Sequence, residues 1–312
     1  MEAFKIGILE GKDFSEDALA SLKELGEVSI FHEGMELDSF LRDKNALFVR
    51  LAYMLDSSFL KKCKQLQYIC SPTTGLNHID LNYVSVNGIH IVSLKGEEQF
   101  LSTIRATPEH IFGLAIALLR NYSTAFIQDV SLWDRDKFIG EELFQNKIGI
   151  IGYGRVGKLL AKYFQSFEAQ VFVYEIDEYK PVENALRLNR MVDVIQESNI
   201  VILTASYNES NQNMISAPVI ELMKGKYFIN AARGELVDEA YLLEKIQDSH
   251  FKGVAIDVVS NEVKNQHYIV KLLEATRGKN VIVTPHIGGA TFNSMRRTEE
   301  YIVKKLSNLI AT

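Results

Sequence analysis

Short apolar runs alternate along this chain with longer stretches in which apolar residues recur at helical spacing. Runs that are apolar throughout suit strands covered on both faces, and the amphipathic stretches between them suit the covering helices, so the pattern predicts an α/β protein with parallel sheets. In the first third, strands are predicted at 4–9, 28–31, 46–49, 68–70 and 89–92. The rhythm changes at Thr107, a plausible N-cap followed by Pro108 at the first helical position, and a long buried helix is predicted through the apolar run from Ile111 to Leu119. Six further strands are predicted at 147–151, 170–174, 200–204, 227–230, 253–256 and 281–284. Ser216 is expected to cap a helix with Pro218 in its first turn, and Asp238 to cap the helix at 239–247. The last helix starts near Thr291 and is expected to pack back onto the first domain. The reading is therefore two doubly wound domains, residues 1–106 with 292–312, and residues 107–291.

Composition narrows the class without changing that outline. The 312 residues are 47% hydrophobic and 24% charged, enough to fill two cores. A net charge of −6 supplies no basic face for nucleic acid. The two cysteines, Cys63 and Cys70, form neither a CxxC pair nor a His/Cys cluster, so no metal or disulfide is expected and a reducing cytoplasm is the expected location. The first residues lack a basic then apolar leader pattern, and no apolar run approaches the roughly 18 residues of a membrane span.

The segment KIGIIGYGRVGKLLAKYF places Gly152, Gly154 and Gly157 directly after a predicted strand and at the start of an amphipathic helix. Gly152 allows the tight turn, Gly154 lets backbone approach a pyrophosphate, and Gly157 lets the helix lie close to the sheet. Arg155 and Val156 offer backbone N–H groups there. A GxGxxG alone is weak evidence, but the next strand ends at Glu175, 18 residues past Gly157. That is close to the offset of about 20 at which an acidic side chain takes ribose hydroxyls. No Arg follows Glu175, so a 2′-phosphate meets like charge and the expected cofactor is NAD rather than NADP.

Ligands of a doubly wound sheet bind beyond the carboxyl ends of its strands, and three polar residues stand just past predicted strand ends: Arg233 in NAARGELVD, Glu262 in IDVVSNE and His286 in TPHIGGAT. Reducing a ketone develops negative charge on oxygen, which an imidazolium such as that of His286 can protonate. A carboxylate beside the imidazole, with Glu262 the candidate, stabilises the charged form. Arg233 offers a planar fork to a substrate carboxylate. Taken singly, each is more simply a structural or solvated side chain; the argument is their convergence next to a dinucleotide fingerprint. Asp257 ends an apolar strand and needs a partner, either the nicotinamide carboxamide or a backbone turn. Thr204, Ala231, Ala232, Gly288 and Gly289, at or just beyond strand ends, complete the candidate cofactor contacts.

These segments together resemble the D-isomer-specific 2-hydroxyacid dehydrogenase family, which includes D-3-phosphoglycerate, D-lactate and glyoxylate/hydroxypyruvate enzymes. The resemblance is carried by SPTTGLNHIDL from Ser71, PEHIFGLAIALLRN from Pro108, the stretch from Trp133 to GYGRVGK, NAARGELVDEAYL from Asn230, GVAIDV from Gly253 and TPHIGGAT from Thr284. It implies hydride transfer between NAD and C2 of a small D-2-hydroxy acid, 3-phosphoglycerate being one candidate. It gives Arg233, Glu262 and His286 the family's catalytic roles. It also places Arg50, Thr74 and Gly75 where the family binds substrate, and implies a Rossmann cofactor domain, a flavodoxin-like substrate domain and a homodimer. The chain departs from the family's habit at four points: Val263 follows Glu262 in place of Pro, Ala205 and Ser206 replace a His-Pro pair, Asn146 replaces a Gly, and SLKGEEQFLSTIRATPEH spans a connection the family makes more compactly with an Asn and Pro-Gly. A second reading, an NAD(H)-sensing binding module like the C-terminal binding protein corepressors, uses the same scaffold. A third, a dehydrogenase of a larger phosphorylated acid, draws on Arg50 and Arg105.

Overall fold

The computed structural model describes residues 3–127 and 133–311, which fall into two units: residues up to Ile104 together with those from Ala290, and Arg105–Gly289. The sequence reading sets these junctions at 106/107 and 291/292. Each unit is built on its own parallel sheet. Among the described residues no helix is long and apolar enough to cross a membrane.

The first unit carries β1 (Lys5–Ile8), β2 (Glu27–Ile30), β3 (Ala46–Phe48), β4 (Tyr68–Ser71) and β5 (His90–Ser93) in the order β2-β1-β3-β4-β5, the flavodoxin-like arrangement. Alternate residues serve opposite faces, as the strand period requires. Phe48 and Cys70 join one cluster with Ile6 and Ile8, while Leu47 and Ile69 join another with Leu41 and Leu60. The last helix, Phe292–Ile310, starts where the Thr291 hydroxyl accepts from the Ser294 N–H at 3.1 Å. It returns to this unit, burying Ile302, Val303 and Leu306 against the first cluster, as the sequence led us to expect.

In the second unit the strands are β6 (Lys147–Ile151), β7 (Gln170–Tyr174), β8 (Leu186–Arg187), β9 (Ile200–Leu203), β10 (Tyr227–Asn230), β11 (Gly253–Ile256) and β12 (Val281–Val283). Their order, β12-β11-β10-β9-β6-β7-β8, is the Rossmann arrangement extended by one strand, with the direction of winding reversing at β6 and β9. Six strands were expected; the seventh, β8, is a two-residue edge with an exposed Leu186, too short for any periodicity to be read. The long helix runs Ala106–Leu119 with Arg105 at its N-cap, so Thr107 lies inside the first turn rather than capping it. Pro108 is tolerated there because first-turn N–H groups have no intrahelical acceptor. Ile111, Ala115, Leu118 and Leu119 of this helix are buried with Ile148, Ile150, Ile200 and Ile202 of the central strands. Ser216 occupies the N-cap of Ala217–Glu221 without a capping hydrogen bond, whereas the Asp238 carboxylate caps Glu239–Gln247 by accepting from the Tyr241 N–H at 3.1 Å.

Candidate active site

Two turns at the carboxyl edge of the second sheet carry the candidate catalytic side chains, and each is shaped by a short-range device. After β10, the Asn230 amide oxygen accepts from the Ala232 N–H at 3.1 Å and its amide nitrogen donates to the Arg233 carbonyl at 3.1 Å, folding the chain back on itself. Arg233 donates through Nη1 to the Ala232 carbonyl at 2.6 Å. Burial pulls its guanidinium below the ordinary arginine value, opposed by the negative charges of Glu262 and Glu235. Gly234 follows, and a Cβ built on it would stand 2.0 Å from the Ser260 nitrogen and 2.2 Å from the Val259 carbonyl carbon. The backbone after Arg233 therefore touches the backbone that leads to Glu262. A second tie comes from Glu239, whose Oε1 accepts from the Ser260 N–H at 2.8 Å. Burial raises the Glu239 carboxyl, the bonds from Ser260 oppose it, and Glu235 and Glu262 add to the rise.

After β11 and β12, Asp257 organises the second turn. Its Oδ1 accepts from the Thr284 hydroxyl at 2.6 Å and the Ile287 N–H at 2.9 Å, and its Oδ2 accepts from the Gly288 N–H at 2.9 Å. His110 of the long helix places Nε2 3.3 Å from Oδ1. Burial alone would raise this carboxyl, yet His110, Thr284, Ile287 and Gly288 together hold it below the usual carboxylate range. Of the two partners foreseen for Asp257, the structure supplies the backbone turn. The Asp257 carbonyl also accepts from the His286 N–H at 2.8 Å. His286 itself has φ +55°, a left-handed backbone rare for non-glycine residues and held here by the bonds on either side of it.

In that conformation the His286 Nδ1 lies 2.7 Å from Glu262 Oε2, with side-chain exposures of 22% and 30% that keep the pair within reach of a substrate. An ionised carboxylate can only accept, so Nδ1 carries the hydrogen and Nε2 is the ring atom left to exchange a proton with a bound molecule. The sequence reading paired these two side chains, and the structure brings them together with the charge of Arg233 close by.

The glycine loop of the same unit fits a dinucleotide. Gly152 has φ +96° and a Cβ there would meet the Ala205 nitrogen at 2.6 Å; a Cβ at Gly157 would lie 2.3 Å from the Gly152 carbonyl oxygen. Gly154, the N-cap of the helix Arg155–Ser166, has nothing within 4 Å of its Cβ position, so an open cradle faces the helix N-terminus. Thr204 braces the loop by donating its hydroxyl to the Gly152 carbonyl at 2.6 Å. Glu175, at the end of β7, accepts from the Tyr153 N–H at 2.8 Å with Oε2 and from the Asp177 N–H at 3.2 Å with Oε1. Burial pushes this carboxyl up, but those bonds and the Lys180 ammonium outweigh it and hold it low. The sequence reading considered only an Arg after Glu175; Lys180 Nζ sits 3.2 Å from its Oε2.

The remaining candidates lie as follows. Ala231 and Ala232 form the turn before Arg233, Gly288 gives its N–H to Asp257, and Gly289 is exposed. In the first unit, Arg50 donates through Nε at 3.0 Å and through Nη2 to Glu299, which is fully buried, and through Nη1 to the Lys12 carbonyl at 3.1 Å. Its charge is thus answered within the unit. Thr74 is exposed and Gly75 half-buried in a loop tied by Thr73, whose hydroxyl donates to the Gly75 carbonyl at 2.8 Å. Sequence reasoning missed His110, Glu239 and Lys180. A histidine on an otherwise apolar helix was the one available signal for the first; the other two read as ordinary helix-start and loop charges.

Residues 112–288 match the family profile described as D-isomer specific 2-hydroxyacid dehydrogenase, NAD binding domain. The chain is 31% identical over 300 residues to D-3-phosphoglycerate dehydrogenase of Escherichia coli (strain K12), covering 93% of this chain and 71% of that one. It is 25% identical over 307 residues to glyoxylate reductase of Pyrococcus furiosus, covering 93% and 88%. Among solved structures, D-lactate dehydrogenase from Aquifex aeolicus, complexed with NAD and lactic acid, superposes with a TM-score of 0.81 at 25% identity, covering 98% of this chain and 95% of that one.

Proposed function

The chain belongs to the D-isomer specific 2-hydroxyacid dehydrogenase family, and from that premise we propose that it interconverts a small 2-oxo acid and its D-2-hydroxy acid with His286 as the acid/base. The observation that carries the assignment of roles is the 2.7 Å contact of His286 Nδ1 with Glu262, in the unit that matches the NAD-binding domain. Bound NADH supplies the hydride to C2. As charge builds on the substrate oxygen, His286 Nε2 gives up its proton, and in the oxidation direction the same nitrogen takes it back. Glu262 stabilises the imidazolium that must exist before each reduction. Arg233 holds the substrate carboxylate in its fork and orients the carbonyl. Backbone N–H groups at Arg155 and Val156 would hold the pyrophosphate, and Glu175 the ribose hydroxyls; Thr204, Ala231, Ala232, Asp257, Gly288 and Gly289 would frame the nicotinamide side. Thr74 and Gly75 stay assigned to substrate.

The relatives act, by their names, on phosphoglycerate, glyoxylate or lactate, which share the C2 chemistry and differ in the group beyond it. Because Glu299 and the Lys12 carbonyl engage all three guanidinium nitrogens of Arg50, that position is poorly suited to a phosphate, and an unphosphorylated acid is the favoured substrate. NADH oxidation measured against pyruvate, glyoxylate, hydroxypyruvate, phosphohydroxypyruvate and 2-oxoglutarate tests this. Fastest turnover is expected with an unphosphorylated member; preference for phosphohydroxypyruvate overturns the substrate reading, and no turnover with any member, NADH still binding, favours a sensing module.

Phe126, Ile127, Trp133 and Ile139 of the second unit are each largely exposed, and a homodimer through that unit would cover them. Sedimentation should find twice the 35.3 kDa chain mass, and a monomer would refute the dimer. The unpaired Cys63 and Cys70 favour the cytoplasm.

A further inference from the structure

We infer that Lys180 sets how strictly this site separates NAD from NADP, and that it makes the site tolerant of the 2′-phosphate that Glu175 alone would repel. The inference rests on Glu175 being the ribose carboxylate. A lone carboxylate at the end of β7 would accept from the ribose hydroxyls and oppose a phosphate carrying up to two negative charges a few ångströms away. Glu175 is not alone. The Lys180 ammonium is 3.2 Å from Oε2, and the two side chains are only 30% and 10% exposed, so their interaction is partly shielded from salt.

The loop after β7 is built to keep that ammonium in place. The Lys180 N–H donates to the Asp177 carbonyl at 3.2 Å, closing a turn, and the Asp177 side chain accepts from the Tyr179 N–H at 3.1 Å. Arg187, on β8, clamps the turn from the other side. It donates through Nη1 to the Asp177 carbonyl at 3.0 Å and through Nη2 to the Lys180 carbonyl at 2.5 Å. The pair thus presents a net charge near zero, against −1 for a bare carboxylate. An ammonium carries three donor hydrogens and the contact with Glu175 occupies one, leaving donor capacity for a phosphate oxygen. With NAD, the hydroxyls bind Glu175 and Lys180 is a bystander; with NADP, Lys180 is the group that meets the extra charge. The Arg187 guanidinium is a second cation at the same loop, so the local field favours an anion more than the isolated Glu175 implies.

Dissociation constants for NADH and NADPH, titrated by nucleotide fluorescence without substrate, test this in the wild type and in Lys180→Met, Lys180→Arg and Glu175→Gln. Losing one charge-assisted contact corresponds to roughly tenfold or more in affinity. Lys180→Met should therefore weaken NADPH by about tenfold or more, while NADH changes by less than about threefold. Lys180→Arg should keep the wild-type ratio of the two constants. Glu175→Gln should shift the ratio toward NADPH. Added salt should weaken NADPH more than NADH in the wild type, and the difference should shrink in Lys180→Met. Equal weakening of both nucleotides in Lys180→Met would show that Lys180 only shapes the loop, and no change in either would show that it does nothing here; both outcomes overturn the inference. If the wild type binds neither nucleotide, the dinucleotide reading itself fails, and the inference with it.

Discussion

Turnover of the His286→Ala variant is expected to fall by about 10²–10⁴-fold, the usual contribution of a positioned general acid, with the dissociation constant of NADH little changed. The split follows from geometry: the imidazole is held by Glu262 at 2.7 Å beyond β12, whereas the glycine loop and Glu175 stand beyond β6 and β7. Alanine at a backbone φ of +55° brings its own strain, so a loss in that variant alone could reflect a moved turn. Asparagine tolerates the left-handed region better and supplies the control. If His286→Asn loses turnover as alanine does, the loss belongs to the imidazole. Glu262→Gln, which keeps an acceptor but removes the charge, should lose less than either. Steady-state rates for the three variants, with NADH affinity measured separately, decide the matter, and wild-type turnover in His286→Asn would remove the residue from the chemistry.

Local signals made much of this fold legible. Strands β6, β7, β10 and β11 were read to their ends because each is an apolar run between polar neighbours. Asp238 was readable as a cap because its bond spans three residues. Where a feature depends on partners distant in sequence, reading stopped. Arg105, not Thr107, ends the long helix's N-terminus, because tertiary packing of Ala106 extends the helix past its best capping residue. His110 meets Asp257 across 147 positions of chain, and no periodicity encodes that encounter. Lys180 is close to Glu175 in sequence yet was passed over, since a loop lysine is usually solvated and only the clamp by Arg187 makes this one stay. The same holds for Arg50: the family resemblance set it beside the substrate, and only the fold discloses Glu299 as its partner.

Gly234→Ala should reduce kcat/KM by about 10²-fold or more, because placement errors near 1 Å at reacting groups cost on that order. Gly234 reads in sequence as one glycine of a turn, and its φ does not demand glycine; the requirement is spatial. The added methyl would lie 2.0 Å from the Ser260 nitrogen and 2.7 Å from Glu239 Oε1, and backbone on both sides leaves little room to relax. Either the turn carrying Arg233 or the loop carrying Glu262 must withdraw, and each movement separates groups the chemistry needs together. Overpacking of this kind also costs roughly 1–3 kcal/mol of stability, so thermal unfolding belongs beside the kinetics. The two consequences separate in a double variant. If the lost activity comes through Glu262, adding Gly234→Ala to Glu262→Gln should cost clearly less than adding it to the wild type, the non-additivity expected of residues acting as one unit. Full additivity would mean that the glycine acts elsewhere, and a Gly234→Ala enzyme of wild-type activity would show that the contact between these two turns has no part in catalysis.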